Sequence, residues 1–148
     1  MTDTRSSAIG SSEWAATLLR LGLRGLFIAH GALKFFVFTP AGTYGYFEKL
    51  GMPGIMGYAP RGAELVIGAA LILGIATRWA ALAGIPLLLG AIVMVHGPNG
   101  FWAGKNGWEY IGLWIAAQAA LALLGDGKLA LGKLFSNTRG AGSQSVHA

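Results

Sequence analysis

The sequence contains no cysteine, which excludes a disulfide framework, a thiolate nucleophile and any cysteine-ligated metal or cluster, and leaves the redox compartment unreadable from cysteine. Charge is scarce too: only 11% of the residues are Asp, Glu, Lys or Arg, against about a quarter in an ordinary soluble domain. There is no nucleophile elbow, phosphate-binding glycine loop, zinc-ligand spacing or dinucleotide fingerprint, so the chain carries none of the usual local signatures of hydrolase or nucleotide chemistry. A cleavable signal peptide is not expected either. The first dozen residues, MTDTRSSAIGSS, are polar, and the apolar run behind them holds Arg20 and Arg24 without a small-residue cleavage site.

What fills the chain instead is apolar. Hydrophobic residues make up 54% of it, 24 residues are glycine, and the mean hydropathy is +0.57, a composition that belongs to membrane proteins. Four apolar stretches, 13–38, 58–76, 79–96 and 107–124, each approach the roughly 20 residues that cross about 30 Å of hydrocarbon as helix. The expected fold is therefore all-α, a four-helix transmembrane bundle. The segment YFEKLGMPG in the long connection after the first span reads as a short amphipathic element capping the outer end. The expected organisation is a polar arm over 1–12, one domain over 13–135 and a disordered polar tail over 136–148, with Ser12 as the cap of the first helix.

Basic residues at the span ends set the orientation. Arg5, Arg20, Arg24, Arg78, Lys128, Lys133 and Arg139 fall on one side, and Lys34, Lys49, Arg61 and Lys105 on the other, which favours cytoplasmic termini. The net charge of +5 fits this rule and attraction to anionic lipid. Basic residues do not interleave with aromatics on one face, so nucleic acid is not an expected partner. Small residues four apart, Gly25 with Ala29, Ala70 with Gly74, Ala80 with Gly84 and Ala116 with Ala120, are expected to let helix backbones approach.

The residues that break the apolar pattern are the candidates for function. His30, Lys34, Arg61, Glu64, His96 and Glu109 thread toward one membrane face, and ionisable groups kept at such depth are usually functional. With Phe36 and Tyr58 at the boundary, His30 and Glu64 each lie about 9 Å below it. His30 and Lys34 are four apart, and Arg61 and Glu64 three apart, so each pair shares a helix face. We read His30 and Glu64 as the proton-exchanging, catalytic groups, and Lys34, Arg61, His96 and Glu109 as binding groups for a polar headgroup such as a quinone carbonyl. The bland alternatives are headgroup snorkelling for Lys34 and Arg61, a helix N-terminus for Glu109 and an interfacial place for His96. Deeper in the bundle, Arg24 with Gln118, and Arg20 with Asp126, are expected to form structural polar locks. Haem or metal ligation by His30 and His96 is disfavoured, because His96 lies about two turns nearer the surface. No covalent cofactor is expected, and quinone is the cofactor the site would take.

The run RLGLRGLFIAHGALKFF, followed by FEKLGMPG, RGAELVIGAALILGIATRWAA and GDGKLALG, resembles the DoxX family of small bacterial membrane proteins over about residues 17–132. The family pattern falls on Arg20, Gly25, Phe27, His30, Gly31, Lys34, Gly51, Glu64, Gly68, Gly74, Thr77, Arg78, Gly125 and Asp126. After Gly127 the chain reads KLALG, where many members have a more polar ending. The resemblance implies a four-helix, multi-pass protein of the bacterial inner membrane. Some relatives are subunits of quinone-linked oxidoreductases, including thiosulfate:quinone oxidoreductase, and others belong to redox-stress complexes.

Two functions follow as expectations. One is a quinone-interacting subunit of a membrane oxidoreductase system, with a polar site near the outer leaflet and Phe27, Phe35, Trp102 and Trp108 at its entry. The alternative is a non-catalytic anchor or scaffold for soluble redox-stress enzymes. The chain has no electron-transfer cofactor of its own, so redox activity would need a soluble or membrane redox partner or a bound quinone. Transport by alternating access would need a homo-oligomer.

Overall fold

The computed structural model describes residues 3–132, and among these every regular element is helical. The long helices are α1 (Asp3–Ala32), α2 (Pro40–Lys49), α3 (Tyr58–Leu73), α4 (Thr77–Ala91) and α5 (Glu109–Leu124). π-helical turns extend α1 over Leu33–Val37 and α4 over Ile92–His96. α1 starts at Asp3 rather than at Ser12: a stretch without proline lets the helix run back through the expected polar arm. The expected tail, 136–148, lies outside the described residues.

The helix boundaries follow from local chemistry. Thr39 takes φ 58 and accepts the Gly42 N–H on its hydroxyl, and Pro40 begins α2, so the chain turns through 94° between α1 and α2. Proline suits that first position because its missing N–H would have been unpaired there. Gly74, at φ 63, ends α3 in the left-handed conformation that glycine adopts without strain. Its N–H bonds back to Ala70 O, and α4 starts three residues later.

α1 packs on α3 and α5, and α4 packs on the same two, so four helices close a ring. Inside it Leu23, Phe27, Leu71, Ala81 and Leu121 are buried together with Trp114. Outside it large apolar side chains face outward, among them Val66, Trp79, Leu113 and Leu123 at 70% exposure or more. An apolar exterior around an apolar core is what a lipid surrounding permits. Ala80 and Gly84 are buried as their spacing predicts, whereas Gly25, Ala29, Ala116 and Ala120 face outward.

Four full spans were expected; among the described residues two helices are individually long and apolar enough, Gly54–Leu73 with 20 residues and Thr77–Asn99 with 23. A third is obtained when Gly10–Val37 and the bent Pro40–Lys49 count as one broken span. α5 has 16 residues, about 24 Å at helical rise, because the turn at Gly107 and Trp108 delays its start and Gly125, at φ 83, ends it.

Candidate functional site

The ionisable residues at the α1–α3 contact are fixed by two features, the π-turn that follows α1 and the guanidinium of Arg61. π-turns recur at functional sites because they displace side chains from regular helical register. Lys34 lies in this one and donates to Glu64 Oε1 across the interface. Glu64 is 6% exposed, and its other oxygen, Oε2, is buried with no hydrogen-bond partner among the described residues. The helices meet closely here: a Cβ on Gly31 would stand 3.8 Å from Glu64 Cβ and 3.0 Å from Leu65 Cδ2.

Arg61, also 6% exposed, holds the corner of the chain. Its Nη2 donates to Lys34 O at 3.1 Å, Thr39 O at 3.0 Å and Thr43 Oγ1 at 2.7 Å, so one guanidinium nitrogen ties the π-turn, the turn at Thr39 and α2 to α3. The Tyr58 and Phe35 rings lie 5.4 and 5.9 Å from its Cζ, within cation–π range. The structure therefore gives Arg61 a positioning task, keeping Lys34 over Glu64.

His30 turns the other way. Its Nδ1 donates to Leu26 O at 2.9 Å, since a carbonyl only accepts, and this leaves Nε2 as the open ring atom. The ring packs on Trp114 of α5 at 5.0 Å between centroids, and Trp114 in turn touches Phe27 at 4.9 Å and Tyr110 at 6.0 Å. Trp114 is 4% exposed and its indole N–H has no acceptor among the described residues. Phe27 is fully buried in the core rather than at an entry. Phe35 lies against Arg61.

His96 and Glu109 serve the 97–108 connection. His96 Nδ1 donates to Asn106 O at 2.8 Å, and Glu109 Oε2 accepts the Ala103 N–H at 3.0 Å. Trp102 and Trp108 are grouped around Phe101 in the same connection. The six residues thus form three clusters: Lys34, Glu64 and Arg61 between α1 and α3, His30 with Trp114 between α1 and α5, and His96 and Glu109 in the loop.

Both expected locks take another form. Gln118 is fully buried, and neither its amide oxygen nor its nitrogen has a partner among the described residues, so the bond to Arg24 is not made. Its amide sits at Gly84, where a Cβ would come within 2.5 Å of Nε2, while Arg24 is half-buried. Arg20 forms no ion pair with Asp126, which acts on it only at longer range. Its Nη2 donates instead to Leu129 O, because the 125–132 segment folds back over α1 and α3. Lys128 N donates to Thr17 Oγ1 at 2.8 Å, and Leu131 N to Leu73 O at 3.0 Å. Among the described residues no group of three or more His, Asp or Glu side chains is arranged to hold a metal.

Trp114, Tyr110 and Thr43 belong to the site although their sequence positions did not single them out. Trp114 had one usable signal, a position four residues before Gln118 and four after Tyr110 on the same helix.

The DoxX family model matches residues 15–97, which include the C-terminal part of α1, all of α3 and α4, and every residue of the Lys34, Glu64 and Arg61 cluster. A Bacillus subtilis (strain 168) protein named "Putative oxidoreductase CatD" is 33% identical over 121 residues, covering 82% of this chain and 87% of that protein. No solved structure matches. A chain that is all-helical among the described residues, with an apolar exterior, and matched over more than half its length by the family model, is a membrane protein and belongs to the DoxX family.

Proposed function

We propose that this protein is a quinone-interacting subunit of an oxidoreductase system in the bacterial cell membrane. In this reading α1, α3, α4 and α5 all lie in the bilayer, both termini are cytoplasmic and the Lys34 end lies near the outer leaflet. The observation that carries it is Glu64: a buried carboxylate with one oxygen on Lys34 and the other unpaired among the described residues. An unpaired buried oxygen costs about 1–3 kcal/mol, and a site that takes a polar ligand recovers that cost when occupied. The relative's name, an oxidoreductase, supports redox chemistry.

The residues fit a quinone headgroup. Lys34 gives one N–H to Glu64 and retains two donors for a carbonyl oxygen. Glu64 is the group able to hold or release a proton beside it, while His30, packed on Trp114, lies apart from it. A bound quinone would supply the two-electron acceptor, with the electrons coming from a partner protein. Arg61 keeps the Lys34 backbone in place.

The reading is tested by equilibrium binding of a tail-less naphthoquinone to the protein in nanodiscs. Glu64→Gln, which keeps the shape and removes the charge, is expected to weaken binding about tenfold, or 1.4 kcal/mol. Equal binding by both proteins would remove Glu64 from the site. The anchor reading draws on the opposite end, where Arg78 and Lys128 are exposed and a polar cleft of about 190 Å³ runs past Glu13, Arg78 and Asp126. It gains if the wild type binds no quinone while a soluble partner requires Arg78 and Lys128.

A further inference from the structure

We infer that the polar cleft at the end of the bundle opposite Lys34 holds the headgroup of a zwitterionic phospholipid, an ammonium with a phosphate diester, as in phosphatidylethanolamine. The inference is independent of the quinone reading, which concerns the other end. The cleft has a volume of about 190 Å³ and is lined by Glu13 of α1, Arg78 of α4, and Leu124, Gly125 and Asp126 at the end of α5, among others. That is below the range of about 300–1,000 Å³ that encloses a whole small molecule, and it suits a headgroup whose acyl chains stay outside in the bilayer.

Three helix ends set the level of the cleft. Gly10 begins the apolar stretch of α1, Thr77 begins the Thr77–Asn99 span and Leu124 ends α5, and the lining residues lie at or close to these ends. Trp14 and Trp79, the chain neighbours of Glu13 and Arg78, are 46% and 74% exposed, as aromatic residues are at the boundary between membrane and water. Lipid headgroups are therefore what the cleft meets. Charge then selects among them. Arg78 is exposed and lies across Gly125, where a Cβ would stand 3.1 Å from its Nε, so its guanidinium is open to phosphate oxygens. The other cation nearby, Lys128, has its ammonium 5.0 Å from the centre of the Trp14 ring. Asp126 makes no ion pair among the described residues and follows the negative end of α5, a place for an ammonium. With Glu13 also in the lining, carboxylates outnumber the one guanidinium there, which opposes a headgroup that carries negative charge alone. An ammonium joined to a phosphate satisfies both signs.

The experiment places wild type, Asp126→Asn and Arg78→Gln in nanodiscs of equal phosphatidylethanolamine and phosphatidylglycerol, transfers each to mild detergent and counts the retained lipids by native mass spectrometry. Thermal melting followed by circular dichroism shows which variants are folded. Arg78→Gln alters an exposed side chain, so it decides the matter if Asp126→Asn does not fold. The expected result is that wild type retains phosphatidylethanolamine about tenfold over phosphatidylglycerol, and that each folded variant retains about tenfold less of it, the loss of one charged contact. Retention of the two lipids in equal amounts by wild type, or undiminished phosphatidylethanolamine in a folded variant, overturns the proposal. Displacement of the retained lipid by soluble glycerophosphoethanolamine assigns the cleft to a water-soluble zwitterion and overturns the lipid as its occupant. A soluble protein that stays with wild type and is lost from Arg78→Gln, while the lipid content holds, makes the cleft a protein dock and overturns the proposal as well.

Discussion

Gly74→Ala is expected to destabilise the protein by about 3 kcal/mol, lowering Tm in detergent by roughly 10 °C. Two effects add. Gly74 sits at φ 63, and an L side chain in the left-handed conformation costs about 1–2 kcal/mol. The new Cβ would also fall inside the Arg20 guanidinium and lie 2.7 Å from Ala130 Cβ. Arg20 is 1% exposed and cannot swing aside without breaking its bond to Leu129 O, a charged hydrogen bond worth about 1.5–3 kcal/mol. Gly22→Ala is the matched control. It lies within α1 with open space around its Cβ, so the better helix propensity of alanine should leave stability unchanged or raise it by up to about 1 kcal/mol. Thermal unfolding of the two variants side by side decides the matter, and equal melting temperatures would contradict the packing described for Arg20.

Arg61→Lys should cost about as much although it preserves the charge. Lysine cannot reproduce a planar fork within reach of two rings, and a single ammonium cannot keep Lys34 O, Thr39 O and Thr43 Oγ1 in the same geometry. Loss of two of these bonds, each worth about 1.5 kcal/mol or more because the donor is charged, gives about 3 kcal/mol. The damage should be local, with α2 released from the end of α3. Limited proteolysis reports it directly: cleavage within 39–57 should rise at least tenfold in Arg61→Lys while α3, α4 and α5 stay protected. Wild-type resistance in that stretch would show that α2 is held by its other contacts, such as Gly57 against Phe47 and Thr43.

That Lys34 and Glu64 turn inward was legible from the sequence, because a charge left in lipid is expensive, although helical rise set Glu64 level with His30 rather than with Lys34. The side to which His30 turns was not. The π-turn at Leu33–Val37 breaks the simple rule that residues four apart share a face, and the partner of His30 depends on how the helix ring closes. The task of Arg61 was hidden because two of its three acceptors are backbone oxygens, which no residue pattern displays. Gln118 shows the limit of matching depths: rise alone puts it level with Arg24, but its amide points into the space left by Gly84. The apolar spans were legible as hydrophobic runs. The length of α5 was not, because its ends are set by the turn at Gly107 and by Gly125.

The buried, half-satisfied Glu64 carboxylate is the centre of this account, and extraction of native ligands tests it most directly. Wild type and Glu64→Gln would be isolated from their own membrane in native nanodiscs, and the bound small molecules identified by mass spectrometry. The account predicts a quinone retained in stoichiometric amount by the wild type and depleted about tenfold in Glu64→Gln, the same factor expected for binding. A folded wild-type protein that retains no quinone, or a quinone content unaffected by Glu64→Gln, would contradict it.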